Sequence, residues 1–312
     1  MIHIQKENTL ETNPQIPNLS PNLQNLKSAP ANASGLDDQQ PTDWERHDPS
    51  NIIVYQDKYL LWVTEHIKGS GFLENARIIL LSSTDALNWK FEQIALERNP
   101  SDAWDNLSVL TAFMVPYQGV FYLFYTGVNT DFEDSNTSRR GIGYAVSNSP
   151  YGPWERPPDN QNLHPGELGS WDELCVDDTN IIRHNNKWYF YFQGRQINSS
   201  PGNSDVGVAI SDNLTGPYVK HDTNPLFKGH AFTVTKYQNG LLALPGSSNQ
   251  KVLWSTDGIH FVAGPPLKHK STGVYNPADF ETDPPNPHID WFIDVIPSSP
   301  RKLQRVNLIF PE

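Results

Sequence analysis

The sequence predicts an all-β protein, a five-bladed β-propeller of four-stranded blades. Three observations predict it. Aromatic residues make up 11% of the chain, charged residues only 19%, and there are 26 prolines in 312 residues, about 8% against a usual ~5%. Such a chain is poor in long, charged surface helices and suits short strands joined by many turns. Apolar runs of a few residues alternate with turn clusters, and the same two phrases recur along the chain, which is the mark of a repeat architecture.

The first stretch, residues 1–42, is rich in Asn, Pro, Gln, Ser and Ala and has no Phe, Tyr or Trp. It reads as an extended or disordered amino-terminal arm, with a short helix around Leu19 to Ser28 as the other reading. Residues 43–312 read as the propeller. Its first phrase is a hairpin. YQDK (55–58), YQG (117–119), HNNK (184–187) and YQNG (237–240) each separate two apolar runs and carry Gly, Asn or Asp where a tight turn needs φ > 0. Its second phrase is a small-residue apolar strand, a Ser, an Asp/Asn/Gly turn and an aromatic: IILLSSTDALNWKF (78–91), GIGYAVSNSPYGPWER (141–156), VGVAISDNLTGPYVKH (206–221) and VLWSTDGIHF (252–261). Two hairpin strands and two more make a four-stranded blade. A degenerate fifth repeat runs from about Gly273 to the carboxyl end. A sixth would need the arm to form a blade, which its composition forbids.

Several function classes fall away. The net charge is −12, from 23 basic and 35 acidic residues, and no basic run appears, so neither nucleic acid nor an anionic membrane is the expected partner. The single cysteine, Cys175, excludes an internal disulfide and a thiolate zinc site, and reads as a small buried filler. No apolar stretch is long enough to span a bilayer and no secretory leader is visible. The expected location is cytoplasmic, or periplasmic if a leader was removed.

Where blades converge, residues at one rung of the first strand meet near the axis. Setting Asp57, Asn186 and Asn239 equivalent and counting back nine residues gives Asp48, Asp177 and His230, with an apolar residue near Val109 in the second blade. Asp178 replaces Asp177 if the register slips by one. Converging carboxylates push their pKa values apart, as two-carboxylate glycoside hydrolysis requires. Histidine beside two carboxylates is expected to have a raised pKa and to stay protonated. Trp104-Asp105 and Trp171-Asp172-Glu173 open the second and third blades and offer a stacking face and hydroxyl-binding acids, though such tryptophans also pack between blades. Arg195, Glu65-His66, Asn276 and Asp279 are weaker candidates for substrate contact, and Arg139-Arg140 reads as solvated. No cofactor is required by any motif, although a single metal ion in the channel is compatible with the sequence.

HDPS (47–50) before an apolar strand, VDDTNII (176–182), SPYGPWER and LTGPYVK resemble the motifs of the five-bladed glycoside hydrolases of family 43 and their relatives, over essentially Trp44 to the carboxyl end. Family 43 enzymes carry a Glu proton donor in the fourth blade. KGHAFTVTKYQNG places His230 there instead, which resembles family 117, the α-1,3-(3,6-anhydro)-L-galactosidases acting on neoagaro-oligosaccharides. That resemblance implies an inverting, exo-acting glycoside hydrolase of an oligosaccharide substrate, with Asp48 as general base, Asp177 or Asp178 as second acid and His230 as candidate general acid. It also implies a homodimer through the arm, although NLKSAPANASG does not carry that family's Ser/Ala/Arg motif. Two alternatives stay open: a family 43-like α-L-arabinofuranosidase or β-xylosidase with Glu167, Glu173 or Glu281 as donor, and a non-catalytic carbohydrate-binding propeller.

Overall fold

Each turn cluster closes a two-residue hairpin. Tyr55 pairs with Lys58, Tyr117 with Val120, His184 with Lys187 and Tyr237 with Gly240. In the first three, both central residues have positive φ: Gln56 and Asp57, Gln118 and Gly119, Asn185 and Asn186. That is the mirror-image turn whose twist matches the flanking strands. The computed structural model describes residues 23–31, 41, 43–71, 73–100, 102–129, 139–275, 280–281, 289–296 and 302–310.

The described residues are almost wholly β. Strand β1 (Lys27–Pro30) comes from the amino-terminal stretch. The first repeat then forms β2 (Trp44–Tyr55), β3 (Lys58–Ile67), β4 (Arg77–Ser83) and β5 (Lys90–Leu96). The second forms β6 (Ser108–Tyr117), β7 (Val120–Val128), β8 (Gly141–Ser147) and β9 (Gln161–Leu163). The third forms β10 (Cys175–His184), β11 (Lys187–Arg195), β12 (Asp205–Ser211) and β13 (Val219–Lys220), with β14 (Phe227–Lys228) also on β12. The fourth forms β15 (Thr233–Tyr237), β16 (Gly240–Leu244), β17 (Lys251–Ser255) and β18 (Val262–Pro266). The last is β19 (Gly273–Tyr275), β20 (Trp291–Ile296) and β21 (Lys302–Ile309), with β1 antiparallel on β21. No described helix is long and apolar enough to cross a membrane.

Against the five four-stranded blades expected, the described strands fall into four hydrogen-bonded sheets. β19 touches β2 through a parallel bridge, Tyr275 to Ile52, which merges the first and last runs into one eight-stranded sheet. With the sheets built on β6, β10 and β15, that makes four sheets. Among the described residues none closes on itself.

The recurring second phrase is a side-chain turn. Asp85 Oδ1 accepts the amides of Leu87 and Asn88, and Asp257 Oδ1 accepts those of Ile259 and His260, each at 2.8 Å. The strand alternation then splits each strand between two cores. Leu60 and Trp62 of β3 pack with Val109, Met114, Leu123 and Tyr125 of the second repeat. Leu61 and Val63 of the same strand pack with Trp291, Ile293 and Val295 of the last run. Further buried clusters join the second repeat to the third, the third to the fourth, and the fourth to the last.

The arm was expected to lie outside the sheets, with a helix around Leu19 to Ser28 as the other reading. Instead the described part of it supplies β1 as the outer strand of the last run. Leu23 and Leu26 are buried there, among Leu244, Val252, Val306 and Leu308. Apolar side chains spaced for burial outweighed a polar composition. Leu26→Ala is therefore expected to destabilise the protein by about 2–5 kcal/mol, the usual cost of emptying a buried leucine site. Urea unfolding measures it, and a loss below about 0.5 kcal/mol would show that the amino-terminal stretch is not part of the core.

Candidate active site

The site begins with a backbone irregularity. Asp48, Thr111, Asp178 and Ala231 have φ of 47°, 50°, 53° and 51°. In β2, β6 and β10 each sits at a register shift, between His47 and Pro49, between Leu110 and Phe113, and between Asp177 and Asn180. The left-handed conformation is tolerated by Asp but unusual for β-branched Thr. These bulges re-aim side chains out of the strand's alternation. Asp48, Thr111, Asp178, Ala231 and, from the last run, Thr272 line one small cavity, so every run contributes to it.

This overturns part of the counted rung. Asp48 lies nine residues before Asp57, whereas Thr111, Asp178 and Ala231 lie eight before Gly119, Asn186 and Asn239. β2 carries a second register shift, between Pro49 and Ile52, so counting back nine overshoots by one elsewhere. The equivalents of Asp48 are Thr111, Asp178 and Ala231, not Val109, Asp177 and His230.

The three acidic residues have different surroundings. Asp177 is buried, and its Oδ1 accepts the Thr126 hydroxyl at 2.7 Å, the Asp178 amide at 2.9 Å and the Thr111 hydroxyl at 3.0 Å. Arg140 Nε lies 3.9 Å from its Oδ2. Asp178 is half-buried on the cavity wall, with Oδ2 accepting the Ala231 amide at 2.9 Å. Burial, then the charges of Asp177 and Asp48, raise its pKa well above the usual carboxylate range. Asp48 Oδ2 lies 2.5 Å from His47 Nδ1. A carboxylate only accepts, so that nitrogen carries the proton. The buried His47 continues through Nε2 to His66 Nδ1 at 2.9 Å, and His66 Nε2 lies 3.9 Å from Glu45 Oε2.

His230 departs from expectation. It lines a cleft of about 590 Å³ together with His47, Asp48, Lys270 and Asp294. Burial is the largest influence on it and lowers its pKa. Arg195 and Lys270 add to the lowering, and Asp177 and Asp48 only oppose it. Two carboxylates do not keep it charged, because desolvation outweighs them. Its Nδ1 lies 3.2 Å from Gln193 Oε1. Gln193 Nε2 donates to Ser204 Oγ at 2.8 Å, and Ser204 donates to the Pro201 carbonyl at 2.7 Å. That chain assigns the His230 proton to Nδ1 and leaves Nε2 as an acceptor.

The Trp-Asp pairs do not line the cavity. Trp104 stacks on Tyr125 at 5.5 Å and lies over Gly127 and Gly143, where any Cβ would collide with it. Asp105 is fully buried and accepts Tyr125 Oη and Arg156 Nε, each at 2.8 Å. Trp171 repeats the arrangement on Phe192, Gly194 and Gly207, with Asp172 paired to Lys220 at 2.5 Å. Both pairs clamp strands inside a repeat, which is why glycines face them. Glu173 accepts the amides of Gly169 and Ile197 and braces two loops. Arg195 is buried, donates to the Ser199 carbonyl, and acts on the site through the charges it shares with Asp177 and His230. Glu65 is held by Arg46 and Arg77, and Cys175 is buried. Arg140 is buried beside Asp177, not solvated, while Arg139 is exposed and donates to the carbonyls of Glu173 and Gly166. Asn276 and Asp279 lie outside the described residues. No group of three or more His, Cys, Asp or Glu among the described residues is placed to hold a metal ion.

Three features went unread in the sequence. Asn51 bridges to the main chain of Met114 through both amide atoms, at 2.8 and 2.7 Å. Asn180 does the same to Phe232 and Val234, at 3.2 and 3.1 Å. Each stitches one first strand to the next, and both stand shortly after the aspartates in HDPSN and VDDTN. The third is the His47–His66 contact, whose signal was the adjacency of His47 to Asp48.

Residues 40–193 match the family described as Glycosyl hydrolases family 43. No curated protein matches the sequence. Among solved structures, a family 117 glycoside hydrolase produced by the marine bacterium Zobellia galactanivorans is similar with a TM-score of 0.78 at 21% identity, covering 92% of this chain and 91% of that one. The GH43_1 enzyme from Xanthomonas citri complexed with xylose gives 0.58 at 13%, covering 90% and 89%. An endo-arabinase from Bacteroides thetaiotaomicron gives 0.56 at 16%, covering 87% and 96%. The sequence match indicates a glycosidase, and the structural likenesses show a shared fold.

The raised pKa of Asp178 has a thermodynamic consequence. The folded state binds its proton more tightly than the unfolded chain, whose ordinary value is 3.8. Its contribution is fully present below that value and is lost as pH rises towards the folded-state pKa. Asp178→Asn removes the loss. The variant should therefore gain Tm relative to the parent at pH 8 and show little gain at pH 4. An equal difference at both pH values would exclude a raised pKa.

Proposed function

We propose that this chain is an inverting glycoside hydrolase, built as a five-bladed propeller, that removes a terminal sugar from neoagaro-oligosaccharides. The observation that carries the reading is the convergence of Asp48 and Asp178 on one cavity from equivalent bulges. The buried clusters that join each run to the next, and the last to the first, support the propeller. The substrate class rests on the resemblance to family 117.

In this reading Asp48 is the general base. His47 N–H holds one of its oxygens and favours the ionised form, leaving the other for a water. Asp48 takes the proton of that water as its oxygen attacks the anomeric carbon. A second group protonates the departing glycosidic oxygen as the bond breaks. Asp178 suits that role because its surroundings favour the protonated form. His230 is neutral with its proton directed at Gln193, so it must first be protonated at Nε2 to donate. Its place in the larger cleft suits contact with the sugar.

The family 43-like alternative is disfavoured by where its donors stand. Glu281 is exposed and accepts the amide of Gln118, in the hairpin turn at the other end of β6. Glu167 is exposed, and Glu173 is occupied by loop amides. None lines the cavity.

The test is sugar release from neoagarobiose, neocarrabiose, arabino-oligosaccharides and xylo-oligosaccharides. Release from neoagarobiose is expected, with Asp48→Asn slowing it by about 10²–10⁴-fold. His47→Ala should lower kcat with KM little changed. Cleavage of arabinosides or xylosides alone would move the chain to the family 43-like reading. Sugar binding without any release would mark a binding protein.

A further inference from the structure

Asp294 belongs to the irregular last run and matches no motif. It stands in the middle of β20, opposite Gln304 of β21, and is only 8% exposed. Its Oδ1 is shielded from water and, among the described residues, meets no hydrogen-bond donor. It lines the same cleft as Asp48, His230 and Lys270. A buried carboxyl oxygen without a donor is costly to the free protein. Burial raises its pKa, and Lys270 and His269 only partly offset that. Such a group persists where a ligand completes its hydrogen bonding, as strained or unsatisfied groups do at functional sites.

We propose that Asp294 and Lys270 form a sugar-hydroxyl-binding subsite on the last run. A turn of the Asp294 side chain brings a carboxyl oxygen to the cleft, where it accepts a hydroxyl proton of a neutral pyranose, and Lys270 donates to a neighbouring oxygen of the same ring. Two hydrogen bonds to one ring, in the cleft that Asp48 also lines, fix which ring face is presented to Asp48. The ligand class is an uncharged saccharide with adjacent free hydroxyls. The inference deepens the glycosidase reading and uses that reading only for the turnover measurement.

Asp294→Asn and Asp294→Leu test it. With neoagarobiose as substrate, each should raise KM at least tenfold while kcat falls far less. Neither should lower Tm, and Asp294→Leu should raise it, because an unpaired buried carboxyl is removed. Unchanged KM, or a fall in Tm with proportional loss of all activity, would overturn the subsite and leave Asp294 a structural residue. Calorimetric titration of neoagarobiose, arabinobiose and xylobiose into Asp48→Asn, with and without Asp294→Asn, reads binding without turnover. If the parent releases no sugar yet the second substitution abolishes binding, the hydrolase reading falls and the subsite stands. Binding that is equal in the two, or absent from both, overturns the subsite whatever the reaction.

Discussion

The left-handed bulge in the first strand of each of the first three repeats is the constraint on which the rest depends. A regular strand sends neighbouring side chains to opposite faces. With Asp178 at φ 53°, two adjacent carboxylates serve different purposes. Asp177 turns into the hydroxyls of Thr111 and Thr126, and Asp178 turns to the cavity. The conformation costs roughly 1–2 kcal/mol per non-glycine residue, most awkwardly at Thr111. The Thr111 amide recovers part of it by donating to Thr64 Oγ1 at 2.9 Å, across the junction between two repeats. The strain is thus held by bonds between repeats, and the cavity exists only when the repeats are assembled.

Electrostatics then separate groups that the sequence presents as equals. Asp177 is surrounded by donors, Asp178 by burial and other carboxylates, and Asp48 by a histidine N–H. His230 is governed by desolvation and by two cations, and its remaining acceptor atom follows from Gln193, Ser204 and Pro201. Charge count near the axis was a poor guide. For Asp178 and His230 burial outweighs the neighbouring charges.

Much of the fold was legible because it is written in local chemistry. Asn, Asp and Gly at the hairpin turns, and the Ser-x-Asp turn of the second phrase, fix geometry within a few residues. Asp48 was legible for the same reason, sitting at the entrance of a clear strand. The equivalence of Asp178 was not, because one extra bulged residue in β2 shifts the count without altering the pattern of apolar residues. For Trp104 and Trp171 the sequence left stacking on a sugar and packing both open, because their partners are glycines distant in sequence, Gly127 with Gly143 and Gly194 with Gly207. A missing side chain gives no periodic signal. Asp294 was invisible because the last run lacks the repeated phrases.

The amino-terminal stretch connects that last point to the site. β1 pairs with β21, β21 with β20, and β20 carries Asp294. Ser28 Oγ of β1 also lies 3.0 Å from His269 Nδ1, next to Lys270. The β20 part of the cleft lining is therefore held in register by a strand from the beginning of the chain, while His230 and Ala231 reach the cleft from the fourth repeat. Leu23 and Leu26 pack at the seam between the two, against Tyr237 and Leu244 on one side and Val306 and Leu308 on the other. The two runs that line the cleft thus share one apolar cluster with Leu23 and Leu26, so the stretch that looks least structured in the sequence is part of the core beneath the site.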